Sequence, residues 1–180
     1  MKKTIFIILF CFVISLSAVA QKNYKKLVDS LRYVTHIPYI DNCGDPILWK
    51  IVGEGKAIVP ALIDKLTDTR TVKELYVRFF GGEYTVADVA YVALCEIIAD
   101  IPTFELLGVP FSEECGYCSY WYYVRENKCN RRNFLKVVRE WYEENKNKLV
   151  WVESLHSLTG DCFIVPSKGH YKVQHESNSE

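Results

Sequence analysis

The feature that most constrains this chain lies at its start. Lys2 and Lys3 precede a nearly unbroken apolar run from Ile5 to Leu16, and Ala18-Val19-Ala20 supply small residues ahead of Gln21. A positive start, a short apolar stretch and a small-residue cleavage site make the pattern of a secretory signal peptide. The run is too short for a bilayer, which needs roughly 20 apolar residues, and Lys22, Lys25 and Lys26 follow closely. Cleavage is therefore expected after Ala20, giving a mature form that is secreted or periplasmic. No later segment reads as a membrane span, so that form is expected not to cross a bilayer.

Export decides how the cysteines read. Cys11 leaves with the leader, too deep in the apolar run to carry a lipid, and Cys43, Cys95, Cys115, Cys118, Cys129 and Cys162 remain. Oxidising compartments let disulfides persist, and six cysteines admit about 15 complete pairings. Cys95 lies within an apolar stretch and reads as an unpaired, buried thiol. Cys115, Cys118 and Cys129 crowd one short region, where at least one bridge is expected to add about 2–3 kcal/mol by the chain-entropy argument. Cys43 and Cys162 sit in loop-like contexts and are the remaining candidates.

Of 180 residues, 160 follow Ala20, enough for one domain with an apolar core, expected over residues 21–173, with a disordered tail at 174–180. Without Lys2 and Lys3 the 22 basic groups fall to 20 against 22 acidic ones, a formal charge of −2. A nucleic-acid partner needs a basic face, and Lys25-Lys26 and Arg131-Arg132 read instead as solvated helix sides. No nucleic acid is expected.

Apolar spacing points to helices. Tyr24, Leu27, Val28, Leu31 and Val34 recur every three or four residues, and His36-Ile37-Pro38 stops the stripe. Asp45-Pro46 opens a second helix, with proline at the position where a missing N–H costs little. Gly53-Glu54-Gly55 turns the chain into a third, where Pro60 falls in the first turn. Residues 69–84 are less regular. Thr85 and Asp88 then have the spacing of a capping box ahead of Val86, Val89, Ala90, Ala93, Leu94, Ile97, Ile98 and Ile101, a wide apolar stripe that Ile101-Pro102 ends. The run Ser119–Val124 reads as helix or strand, since its aromatic density favours a strand and its setting the preferred helix, and a further helix carries Phe134, Val137, Val138, Trp141 and Tyr142, capped by Asn130 or Asn133. The tail from Gly160 to Val173 reads as a small hairpin or extended strap.

Gly53-Glu54 followed by AIVPALIDKLTD, and then VADVAYVAL, resembles the helices of HEAT repeats, over residues 45–102. The resemblance implies a mainly all-α fold of short helical hairpins in one compact domain, and a protein-binding role. The insertion at 69–84 is long for a repeat connection and no third copy follows, whereas solenoids usually need about three.

Candidate chemistry is sparse. Cys115-Gly116-Tyr117-Cys118 has thiol–disulfide exchange spacing, but no buried strand precedes it, and Glu113 and Glu114 oppose a thiolate. Zinc through Cys115, Cys118 and Cys129 with His156 or His170 is disfavoured by export. Serine-nucleophile and phosphate-loop patterns are missing, and Glu140 with Glu144, four apart on one helix face, reads as a solvated pair, so no catalytic residue, metal or cofactor is assigned. The surplus is aromatic. Tyr120, Tyr122 and Tyr123 form the candidate binding surface, since exposed aromatics anchor protein partners or sugar rings. The expectation is a non-catalytic, exported protein-binding module. The alternatives are a thiol–disulfide oxidoreductase at Cys115/Cys118 and a carbohydrate-binding module for cell-wall glycan.

Overall fold

A computed structural model describes residues 24–38, 43, 45–76, 82–99, 101–109, 120–158 and 165–174. About 55% of these residues are helical and 15% are in strands, which form two small antiparallel sheets. The fold is therefore mixed α/β, and the expectation of a mainly all-α stack of HEAT-like hairpins is overturned. The strands arise where the sequence showed no helical period: in the insertion after the third helix, and in a short apolar run that pairs with the tail.

Residues 24–28 are helical and tighten into a 3₁₀ turn at Asp29–Tyr33. Helix α1, Pro46–Val52, begins where Asp45 and Pro46 place it. The Asp45 carboxylate accepts from the amides of Ile47 and Leu48, both at 2.9 Å, and from the Thr35 amide at 2.8 Å. One buried side chain thus caps the helix and ties the preceding segment to it. Gly55 adopts φ +59° in the turn, and α2, Val59–Lys65, follows with Pro60 in its first turn.

Strands β1, Thr71–Tyr76, and β2, Glu83–Thr85, pair antiparallel with a shift in register between Thr71 and Tyr76. They deliver the chain directly into α3, Val86–Ile97. The first two amides of α3 find no carbonyl within their own helix. Val86 N donates to Arg70 O and Ala87 N to Asp68 O, each at 2.9 Å. The β-hairpin is therefore also the cap of the central helix.

Helix α3 is buried almost all round, which is why its apolar stripe is so wide. Helices α1 and α2 cover one side of it. From the other side come Tyr120, Val124 and Phe134, carried by a π-helical turn at Tyr120–Val124 and by α5, Lys128–Asn145. The short α4, Thr103–Leu107, packs on α5 and ends at Gly108 with φ +64°. The N-cap of α5 is Asn127, whose Oδ1 accepts from Asn130 N at 2.9 Å, one turn earlier than the expected Asn130 or Asn133.

Strands β3, Leu149–Glu153, and β4, Gly169–Val173, make the second sheet in unbroken register, Trp151 opposite Tyr171. Past α3 the chain runs alongside β4: Ile98 bridges to Tyr171, and Ala99 N donates to Tyr171 O at 2.8 Å. The tail, expected as a small hairpin or strap, supplies one strand of an antiparallel pair whose other strand, β3, lies before it in the chain.

Candidate functional site

Three of the six cysteines, Cys115, Cys118 and Cys162, fall outside the described residues. Cys43 is disulfide-bonded. Cys129 is a free, exposed thiol in the first turn of α5, and Cys95 is free on α3, its thiol pushed up to about 12 by burial. His156 is exposed and His170 buried on β4; among the described residues no group of three or more His, Cys, Asp or Glu side chains is placed to hold a metal ion.

The tyrosine ledge does not form as expected. Tyr120 is 1% exposed and stacks on Tyr91, with ring centroids 4.1 Å apart and planes within 2°. Phe134 closes edge-on against both rings. Tyr122 is exposed, and Tyr123 is half-buried against the core. A π-helical turn distributes consecutive side chains around its axis, so three neighbours cannot share a face.

What holds Tyr120 inside is Asp88, itself fully buried. Asp88 Oδ1 accepts from Tyr120 Oη at 2.9 Å and from both terminal nitrogens of Arg131 at 3.1 Å. Asp88 Oδ2 accepts from Thr85 N at 2.7 Å and Arg125 Nε at 3.1 Å. Burial, then the neighbouring Asp88 charge, pushes the Tyr120 phenol well above its ordinary range. Arg131, read from sequence as surface, is 4% exposed because it lies on the same helical stripe as Phe134, Val138 and Tyr142. The cluster joins α3, the π-helical turn and α5. Both oxygens of the buried Asp88 are met by donors from these elements, which marks the cluster as a fastening of the core.

The surface with unused binding capacity lies on β3. Gln174 N donates to Lys148 O at 2.9 Å and Ser154 N to Lys168 O at 3.2 Å, so the even-numbered residues of β3 face β4 with their amide groups. The backbone N–H and C=O groups of Leu149, Trp151 and Glu153 then point away from the sheet. Among the described residues no strand pairs with that edge. Trp151 is 46% exposed, Val150 40% and, just beyond the strand, Leu155 55%.

The indole of Trp151 is held in place from below. It meets Tyr171 edge to face with centroids 5.0 Å apart, and a β-carbon on Gly169 would lie 2.4 Å from its ring. Lys56 completes the corner, its Nζ 5.0 Å from the Tyr171 ring centre and 3.2 Å from Leu149 O. Comparison with protein-family models, curated proteins and solved structures finds no match for this chain. Residue type alone does not set Trp151 apart in a chain with 4 tryptophans and 12 tyrosines. The signal that would have singled it out is the run Leu149-Val150-Trp151-Val152, rich in β-formers after a helix that has ended.

Proposed function

We propose that this is an exported, non-catalytic protein that binds another protein, and that it does so along the open edge of β3. The leader-like residues 1–20 support export, as does the bond at Cys43, which suits an oxidising compartment. One observation carries the binding reading: a strand in regular register, with outward amides and a half-exposed tryptophan, has an outer edge with which no strand pairs among the described residues. Natural edge strands are normally blunted by a bulge, a proline or charged side chains, and Leu149-Val150-Trp151-Val152-Glu153 has neither bulge nor proline and carries its one charge, Glu153, at its last position. Main-chain hydrogen bonds to an added strand supply affinity, and alternate side chains supply selectivity. Trp151, rigid and backed by Tyr171, has the properties of an interface anchor.

The test is selection of peptides from a random displayed library on the purified exported protein, followed by amide hydrogen exchange. The expected peptides are extended and β-prone, and they slow exchange at the Trp151 and Glu153 amides. Failure to enrich any sequence, or enrichment indifferent to Trp151→Arg, refutes the reading.

A further inference from the structure

We infer that the strand received by β3 is β3 of a second copy, paired antiparallel about a two-fold axis at Trp151, making a four-stranded sheet in the order β4, β3, β3, β4. This rests on the reading of the β3 edge as the docking element. The edge is complementary to itself in that register and at no neighbouring one so well. Trp151 N–H and C=O both point outward, so the two Trp151 residues exchange a pair of hydrogen bonds, as residues of a hydrogen-bonded antiparallel pair do. Leu149 of each copy then stands opposite Glu153 of the other, where Leu149 O, already accepting from Lys56 Nζ at 3.2 Å, offers its second lone pair to the Glu153 amide. On the reverse face Val150 meets Val152 of the second copy twice over, covering the 40% exposed Val150.

Charge agrees with the same register. Tyr171 lies opposite Trp151, so its ring shares the face that carries Leu149, Trp151 and Glu153. Lys56 lies over that ring and reaches Leu149 O. Glu153, exposed on its own subunit, comes across from Leu149 in the second copy and therefore beside the ammonium of Lys56. The two-fold repeats the pair at the other end, so two opposite-charge contacts flank the two indoles. Shifting the register by one residue places Val150, whose amide faces β4, against an outward-facing position and forfeits these hydrogen bonds.

Sedimentation velocity of the purified exported protein, from micromolar to millimolar concentration, and site-specific cross-linking test this together. A reversible dimer is expected, with Trp151→Arg weakening it on the order of tenfold or more. Glu153→Lys weakens it as well, and adding Lys56→Glu to Glu153→Lys restores it. In a Cys129→Ser background, Trp151→Cys forms a disulfide-linked dimer under mild oxidation. Residues so paired have Cα atoms about 5.5 Å apart, within a disulfide's span of about 4.4–6.8 Å. Val150→Cys does not cross-link, since Val150 faces Val152 of the second copy and not itself. A protein that stays monomeric while still selecting extended peptides overturns the two-fold pairing and leaves the docking edge standing. A monomer that selects none removes both. A dimer that cross-links equally at positions 150 and 151 refutes the register.

Discussion

Replacing Asp88 with asparagine isolates what a single buried charge contributes to this fold. The carboxylate is wholly buried and receives five donors, from Thr85, Tyr120, Arg125 and, twice, Arg131. Asparagine keeps the shape but offers one acceptor oxygen and one donor group. Its nitrogen must then face either the Thr85 amide and Arg125 on one side or Tyr120 and Arg131 on the other, and both sides present donors. Arg131, 4% exposed, also loses its full counter-charge. Removing one partner of a buried pair costs about 3–5 kcal/mol, mainly because the other charge stays behind unmatched. Domains of this size are stable by only about 5–15 kcal/mol, so Asp88→Asn removes roughly a fifth or more of the total. Urea titration followed by circular dichroism measures the change directly. Adding Arg131→Met to Asp88→Asn is expected to recover part of the loss, a coupling that independent sites do not show. A loss below about 1 kcal/mol for Asp88→Asn, the scale of an ordinary hydrogen bond, refutes the argument.

Other outcomes follow from the same geometry. The Asp68 carboxyl is held below its ordinary 3.8 chiefly by its hydrogen bond with Arg70, and Asp29 chiefly by that with Lys65. Carboxyls lowered in the folded state contribute stability that is present above the unfolded value and lost as pH falls through the folded one. Melting temperature is therefore expected to fall below about pH 4 less steeply in Asp68→Asn than in the parent chain; parallel curves contradict this. Iodoacetamide at mild pH is expected to label Cys129 in the native state and Cys95 only on unfolding, since Cys95 is held as the thiol; mass spectrometry showing equal labelling rules this out. Gly169→Ala puts a β-carbon 2.4 Å from both the Trp151 ring and Val152 O. A cost of about 1–3 kcal/mol and a shifted tryptophan emission are expected, and unchanged stability contradicts the packing described.

Elements specified by local signals were legible in the chain. Asp45-Pro46 marks the start of α1, and Thr85 with Asp88 marks that of α3, because caps act over three or four residues. The strands were hidden for two different reasons. In β1 the buried residues Val72 and Leu75 lie three apart, since the register shift breaks the period of two. In β3 the partner is β4, some twenty residues on, and neither strand alternates cleanly enough to announce itself alone. The sequence also identified Asp88 only as a cap. Its second role depends on Arg125 and Arg131, 37 and 43 positions later, which local spacing cannot relate. Tyr120 was misplaced on the surface for the same reason, because its stacking partner Tyr91 belongs to another element. Trp49 followed its helix face inward, with its Nε1 donating to Cys43 O at 2.7 Å.

The position of β4 has a consequence for biogenesis. Residues 169–173 lie between β3 and the stretch at 98–99, so neither the second sheet nor the closure beyond α3 can exist before that strand has been synthesised. Contacts of such long sequence separation form slowly, because the intervening loop must close first. A nascent polypeptide of this kind stays open on that side while the ribosome still holds it, and locks only when residues 169–173 slot home between the two earlier segments.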